Sequence, residues 1–156
     1  MNYKFMINAV KEAKENSKTN YINGGPFGAV IIKNGEIISS AHNTVISSQD
    51  PTAHAEVNAI RLAAKKLGTH DLSECEIYAS SEPCPMCLSA IIWSNIKVAY
   101  FANSKEDASK IGFRDDDIYD FIKDNKKDIL ELHHMDCEEA KEIFKDFEKN
   151  QKKIIY

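Results

Sequence analysis

Phe27-Gly28-Ala29-Val30-Ile31-Ile32-Lys33-Asn34-Gly35-Glu36-Ile37-Ile38-Ser39-Ser40-Ala41 is the stretch that decides the fold. Two runs rich in β-branched residues, 27–33 and 36–41, flank Asn34-Gly35. That dipeptide favours a type I′ turn because both residues tolerate positive φ, and the turn matches the right-handed twist of paired strands. A hairpin is therefore expected. Before it, Met6, Ala9, Val10 and Ala13 fall at helical spacing, which predicts an amphipathic helix ending near Asn16-Ser17 and covering one face of a sheet.

After the hairpin, helices and strands alternate. Asp50 as N-cap and Pro51 at the first helical position predict a helix whose Val57, Ile60, Ala64 and Leu67 share a face, with Gly68 as its stop. His54-Ala55-Glu56 then sits in its first turns. A strand is expected over 76–80. Pro83 starts a helix over 84–93 that is apolar nearly all round and so is expected to be buried. A strand over 97–102, a polar region through Gly112, a short helix over 118–122 and a strand over 129–132 follow. Asp136 and Glu139 read as a capping box for a last helix carrying Ala140, Ile143, Phe144 and Phe147 on one stripe. This order implies an α/β fold, a three-layer α/β/α sandwich around a mixed sheet of about five strands.

The 156 residues suit a single domain, and a composition of 43% hydrophobic and 28% charged residues excludes the fibrous, disordered and membrane classes. No apolar run reaches the roughly 18 residues of a spanning helix, and the first residues lack a signal-peptide pattern, so the cytoplasm is the expected address. Net charge is -4, and the lysines of 141–153 alternate with acids, so no basic stripe is present for a nucleic acid. Of four cysteines, Cys84 and Cys87 form a C-x-x-C pair, while Cys75 and Cys137 are isolated, which makes metal binding a better reading than a disulfide framework.

Cys84 and Cys87 stand three apart at a helix start and can both reach one ion as thiolates. His54 supplies a third ligand. Zinc prefers four tetrahedral ligands, so three from protein leave a position for water, as in catalytic sites. His54 and Glu56 would diverge in a helix interior, but in a first turn both can flank a ligand off the helix end, so the ion is expected where two helix N-termini meet. Two rival readings stand beside this one: a redox C-x-x-C, or a closed structural zinc site completed by Cys75.

His54-Ala55-Glu56 with Pro83-Cys84-Pro85-Met86-Cys87 spells the H-x-E and P-C-x-x-C signature of the zinc nucleobase deaminases. Together with Gly24-Gly25-Pro26-Phe27-Gly28-Ala29-Val30 and Asp50-Pro51-Thr52-Ala53, these motifs make the chain resemble the cytidine deaminase-like superfamily and, within it, the short bacterial guanine deaminases. The D-P-T-A-H-A-E segment is shared with tRNA adenosine deaminases and does not choose between them. The resemblance implies one zinc ion per chain on His54, Cys84 and Cys87, with Glu56 as the proton carrier, and hydrolysis of guanine to xanthine and ammonia.

Substrate selection rests on other residues. Phe27 could stack on a planar purine or pack in the core. Asn43 matches the family asparagine that hydrogen-bonds the base, though asparagine at a strand end also suits a turn. Asp115, in Gly112-Phe113-Arg114-Asp115, matches the aspartate that contacts guanine in the family, with Asp116 and Asp117 beside it leaving the register open. Ala55 and Cys84 lie at helix starts, where backbone N–H groups can steady negative charge. The resemblance further implies a homodimer that exchanges C-terminal segments, with residues 150–156 as a tail that brings Tyr156 over a partner's site. Guanosine, cytosine and other aminated heterocycles remain alternatives, as does tRNA; outside enzymes, the alternative is a zinc-stabilised binding module.

Overall fold

Asn34 and Gly35 both take positive φ, 52° and 77°, as the type I′ turn requires. The strands they join, β1 (Gly28–Lys33) and β2 (Glu36–His42), pair antiparallel from Lys33 opposite Glu36 to Gly28 opposite His42, with a register shift between Ile31 and Ile32. This computed structural model describes residues 2–113, 115–124, 129–135 and 137–151. The chain divides into Met1–Tyr119 and Asp120–Tyr156.

In the first unit the sheet order is β2-β1-β3-β4. Strand β3 (Cys75–Ser81) runs antiparallel to β1, and β4 (Val98–Asn103) runs parallel to β3, so the sheet is mixed. Alternation along the strands sends side chains to two cores. Val30, Ile32 and Tyr78 pack with Phe5 and Ala9 of α1 (Tyr3–Lys18) on one face. Ala29, Ile31 and Ile77 pack on the other with Ala55, Ala59 and Ala63 of α3 (Ala55–Leu67) and Ile91 of α4 (Pro85–Trp93). These are the three layers of an α/β/α sandwich. Gly28 allows the close approach of α1: a Cβ there would lie 2.2 Å from the Ala9 carbonyl oxygen.

Helix α3 begins later than the sequence suggested. Asp50 Oδ1 accepts from Thr52 N at 2.8 Å and Thr52 Oγ1 at 2.6 Å, so 50–53 is a turn, and His54, with φ -68° and ψ 156°, is the N-cap. The cap and proline signals fit a turn as well as a helix start. Between β2 and that turn lies a single helical turn, α2 (Val45–Ser48). Gly68 ends α3 at φ 69°, as expected.

Helix α4 is not buried all round: Cys87 and Ile91 are covered, but Ile92 and Trp93 are each 64% exposed. Its uniform apolarity hid which face packs. The region read only as polar before Gly112 contains α5 (Lys105–Lys110), opened by a capping box between Ser104 and Asp107. Helix α6 (Asp115–Asp124) is longer than the stretch expected near 118–122.

In the second unit, residues 129–132 form no strand, and Ile129, Leu130 and Leu132 are 47%, 52% and 76% exposed. Apolar composition does not make a strand without a partner to pair with. The sheet of the described residues therefore has four strands. Helix α7 (Glu138–Lys149) carries the expected Ile143, Phe144 and Phe147. The expected Asp136–Glu139 capping box lies outside the described residues. No described helix is long and apolar enough to cross a membrane.

Candidate active site

His54 caps α3 and Cys84 caps α4, while Cys87 stands in the first turn of α4, so two helix N-termini converge as expected. Pro85 at the first helical position fixes the start of α4 without leaving an N–H unpaired. His54 Nδ1 lies 3.6 Å from Cys84 Sγ and 3.5 Å from Cys87 Sγ. Zinc bonds of about 2.3 Å to sulfur and about 2.0–2.1 Å to nitrogen, at tetrahedral angles, separate sulfur from nitrogen by about 3.6 Å. The triangle thus fits one zinc ion, with Nδ1 as the histidine ligand. Among the described residues these three make the one group of this kind. Cys75 is buried at the start of β3 and is not in that group, so no fourth cysteine closes the site.

The centre is buried on its protein side: Cys84 is 7% exposed, Cys87 0% and Glu56 6%. Cys87 shares its proton with Cys84, which pulls the Cys84 thiol down to about 4 and pushes Cys87 up. Both would serve a zinc ion as thiolates. The hydrogen bond with Cys84 raises His54. Glu56 Oε2 accepts from Cys87 Sγ at 3.4 Å, and burial pushes its carboxyl up to about 7.

Beside the centre is a cleft of 20 Å³ between Phe27, His54, Glu56, Glu82, Phe113 and Asp115. That is room for one water-sized group. His54 and Phe113 also line an open cavity of 490 Å³, whose other walls include Tyr21, Gly24, Asn43 and Ile46. The volume falls in the range of small-molecule sites.

Phe27 packs against the α3-side core, as one of its readings expects, and also lines the cleft. Phe113 meets it edge to face, ring centroids 4.7 Å apart at 79°. Asn43 is likewise both a turn residue and a cavity wall. Its Oδ1 accepts from Val45 N at 3.1 Å while the residue lines the 490 Å³ cavity. Gly24 permits this arrangement: a Cβ would lie 2.1 Å from Asn43 Oδ1. Of the three aspartates, Asp115 reaches the cleft, where burial raises its carboxyl, whereas Asp116 pairs with Lys105 at 3.9 Å. Ala55 is fully buried in the core. Arg114 and Tyr156 lie outside the described residues.

Two residues of the small cleft escaped the sequence reading, as did the cavity walls Tyr21 and Ile46. Phe113 lay inside a quoted segment of which only the aspartate was given a role. Glu82 precedes Pro83, and its Oε2 accepts from Lys105 N at 3.1 Å, tying the cysteine loop to α5. Neither has a spacing pattern that could have singled it out.

Residues 1–103 match the model of the cytidine and deoxycytidylate deaminase zinc-binding region. Guanine deaminase of Bacillus subtilis is 55% identical over 96 residues, 62% of each chain. A tRNA-specific adenosine deaminase of Aquifex aeolicus is 45% identical over 98 residues, 63% of each chain. The chain thus aligns over a little less than two thirds of these curated relatives. In structure, the crystal form of the Bacillus subtilis guanine deaminase superposes with a TM-score of 0.91 at 41% identity, over 100% of this chain and 99% of that one. A guanine deaminase from Nitrosomonas europaea superposes at 0.66 and 35% identity, over 71% and 63%. The matched region 1–103 contains His54, Glu56, Cys84 and Cys87, but ends before Phe113 and Asp115.

Proposed function

The chain belongs to the cytidine and deoxycytidylate deaminase zinc-binding family, and we propose that it hydrolyses guanine to xanthine and ammonia. The observation that carries this reading is the joining of the N,S,S triangle to a cavity of small-molecule size through His54 and Phe113, in a chain that matches a guanine deaminase over its whole length. Zinc, when bound by His54, Cys84 and Cys87, supplies the Lewis acidity that makes a water molecule nucleophilic at neutral pH.

The chain's own residues do the rest. Phe27 stacks on the purine, with its plane fixed by Phe113. Asn43 Nδ2 donates to a ring acceptor, and Asp115 accepts from a ring N–H. Glu56 takes a proton from the attacking water as the C2–O bond forms. It then protonates the amino nitrogen as the C2–N bond breaks, so water and guanine leave as xanthine and ammonia. A buried carboxyl with an acid constant near neutrality suits both transfers.

The whole chain acts in this reading as one deaminase domain with residues 150–156 as a tail, in a homodimer that exchanges C-terminal segments. An apolar rim supports tail closure: Tyr21, Ile46 and Ile111 line the cavity at 49%, 62% and 60% exposure, and the tail ends Ile154-Ile155-Tyr156. Thiolate ligands stay reduced in the cytoplasm, the compartment this reading assigns. A net charge of -4 disfavours tRNA as the substrate.

Incubating the zinc-loaded protein with guanine, guanosine, adenine, cytosine and tRNA while following ammonia tests the reading. Release from guanine at the highest kcat/KM is expected. Preferred release from a nucleoside or from tRNA contradicts it.

A further inference from the structure

Asn16 lies in the last turns of α1 and is fully buried. Its Nδ2 donates to two carbonyl oxygens, Gly25 at 2.8 Å and Asn43 at 2.7 Å. Its own carbonyl oxygen accepts from Tyr21 N at 2.7 Å. Tyr21, Gly25 and Asn43 are all walls of the 490 Å³ cavity, which Asn16 does not line. One residue behind the cavity thus ties three of its walls.

Asn16 Oδ1 is buried with no hydrogen-bond partner among the described residues; leucine would avoid that cost but lose both Nδ2 bonds and leave the Asn43 carbonyl without its donor. What leucine lacks is a pair of amide protons diverging by about 120°, which hold the two carbonyl oxygens about 5 Å apart. Asn43 is otherwise fixed by its N–H on the Phe27 carbonyl at 3.0 Å and by Oδ1 on Val45 N, so its backbone position decides where Nδ2 points.

We propose that Asn16 is a positioning residue for substrate recognition, setting from behind the distance between the loop that carries Phe27 and the Asn43 carboxamide. The proposal rests on the reading of the cavity as a guanine site. Asn16 touches neither metal ligands nor substrate, so its loss acts on binding and leaves the chemical centre intact.

The test compares Asn16→Leu and Asn16→Ser with wild type for guanine KM, kcat, zinc per chain and Tm. Asn16→Ser keeps one short donor and no charge but cannot bridge two carbonyl oxygens, so it serves if the leucine variant does not fold. Phe5→Leu, which loosens the same helix at its other end, controls for destabilisation. Both Asn16 variants should raise KM about tenfold or more, with kcat within a few-fold and zinc unchanged, while Phe5→Leu lowers Tm without moving KM. An unchanged KM in the Asn16 variants, or an equal rise in Phe5→Leu, overturns the proposal. Wild-type protein that releases no ammonia from guanine overturns the functional reading instead.

Discussion

Glu56 is a carboxyl held in the first turn of α3 with the Cys87 thiol and its own backbone N–H as hydrogen-bond partners. Burial is the dominant influence on it, and burial favours the neutral form. A group so placed can accept a proton and return it without rearranging a network of ion pairs. Glu56→Gln keeps the shape and removes the proton exchange, so guanine turnover should fall about a thousandfold or more while zinc per chain, measured by metal analysis, stays at one. Loss of zinc in this variant would make Glu56 a ligand and redraw the site. At this scale the sequence was most informative: H-x-E with P-C-x-x-C names residue types whose chemistry is fixed. It could not name Nδ1 as the ligand nitrogen, nor decide among Asp115, Asp116 and Asp117, because both depend on where side chains end in space.

The elements bring those residues together through their starts. Both ligand-bearing helices begin with a residue in extended conformation, His54 or Cys84, and both N-termini point at the same point. The turn over 50–53 sets where α3 begins, with the Asp50 carboxylate accepting from the Thr52 N–H and hydroxyl, and those bonds hold Asp50 below its usual 3.8. A carboxylate depressed in the folded state contributes stability above its unfolded value and loses it as pH falls through the folded one. Asp50→Asn should therefore lower Tm at pH 7, with the gap to wild type closing as pH falls below about 3.8, in thermal melts across pH. A pH-independent gap would show that the carboxylate's charge is not what matters. The sequence misplaced this helix start because Asp-Pro-Thr serves a turn and a helix equally. It misjudged α4 because an all-apolar helix carries no periodicity, and it made 129–132 a strand because composition says nothing of a pairing partner.

Across the whole molecule, the hairpin and the layers were legible because β-branched runs, helical spacing and Asn34-Gly35 are local signals. The cavity was not, since its walls come from positions as distant as Tyr21 and Phe113. What covers the cavity belongs to this scale too. If the tail closes over a partner's site, ending the chain after Gln151 should leave zinc and the Tm of the first unit unchanged and raise guanine KM about tenfold or more. Size-exclusion chromatography of the full chain should show a dimer. Unaltered KM after truncation would remove the tail from the site.

Zinc on His54, Cys84 and Cys87 is proposed to serve the hydrolysis of guanine. The direct measurement is a stoichiometric one: zinc-loaded protein, guanine in excess, xanthine by absorbance and ammonia by a coupled assay, repeated after the metal is stripped and restored. Xanthine and ammonia are expected in equal amounts, with none after stripping and recovery at one zinc per chain. Equal rates with and without the metal, or no xanthine from the loaded protein, would contradict it.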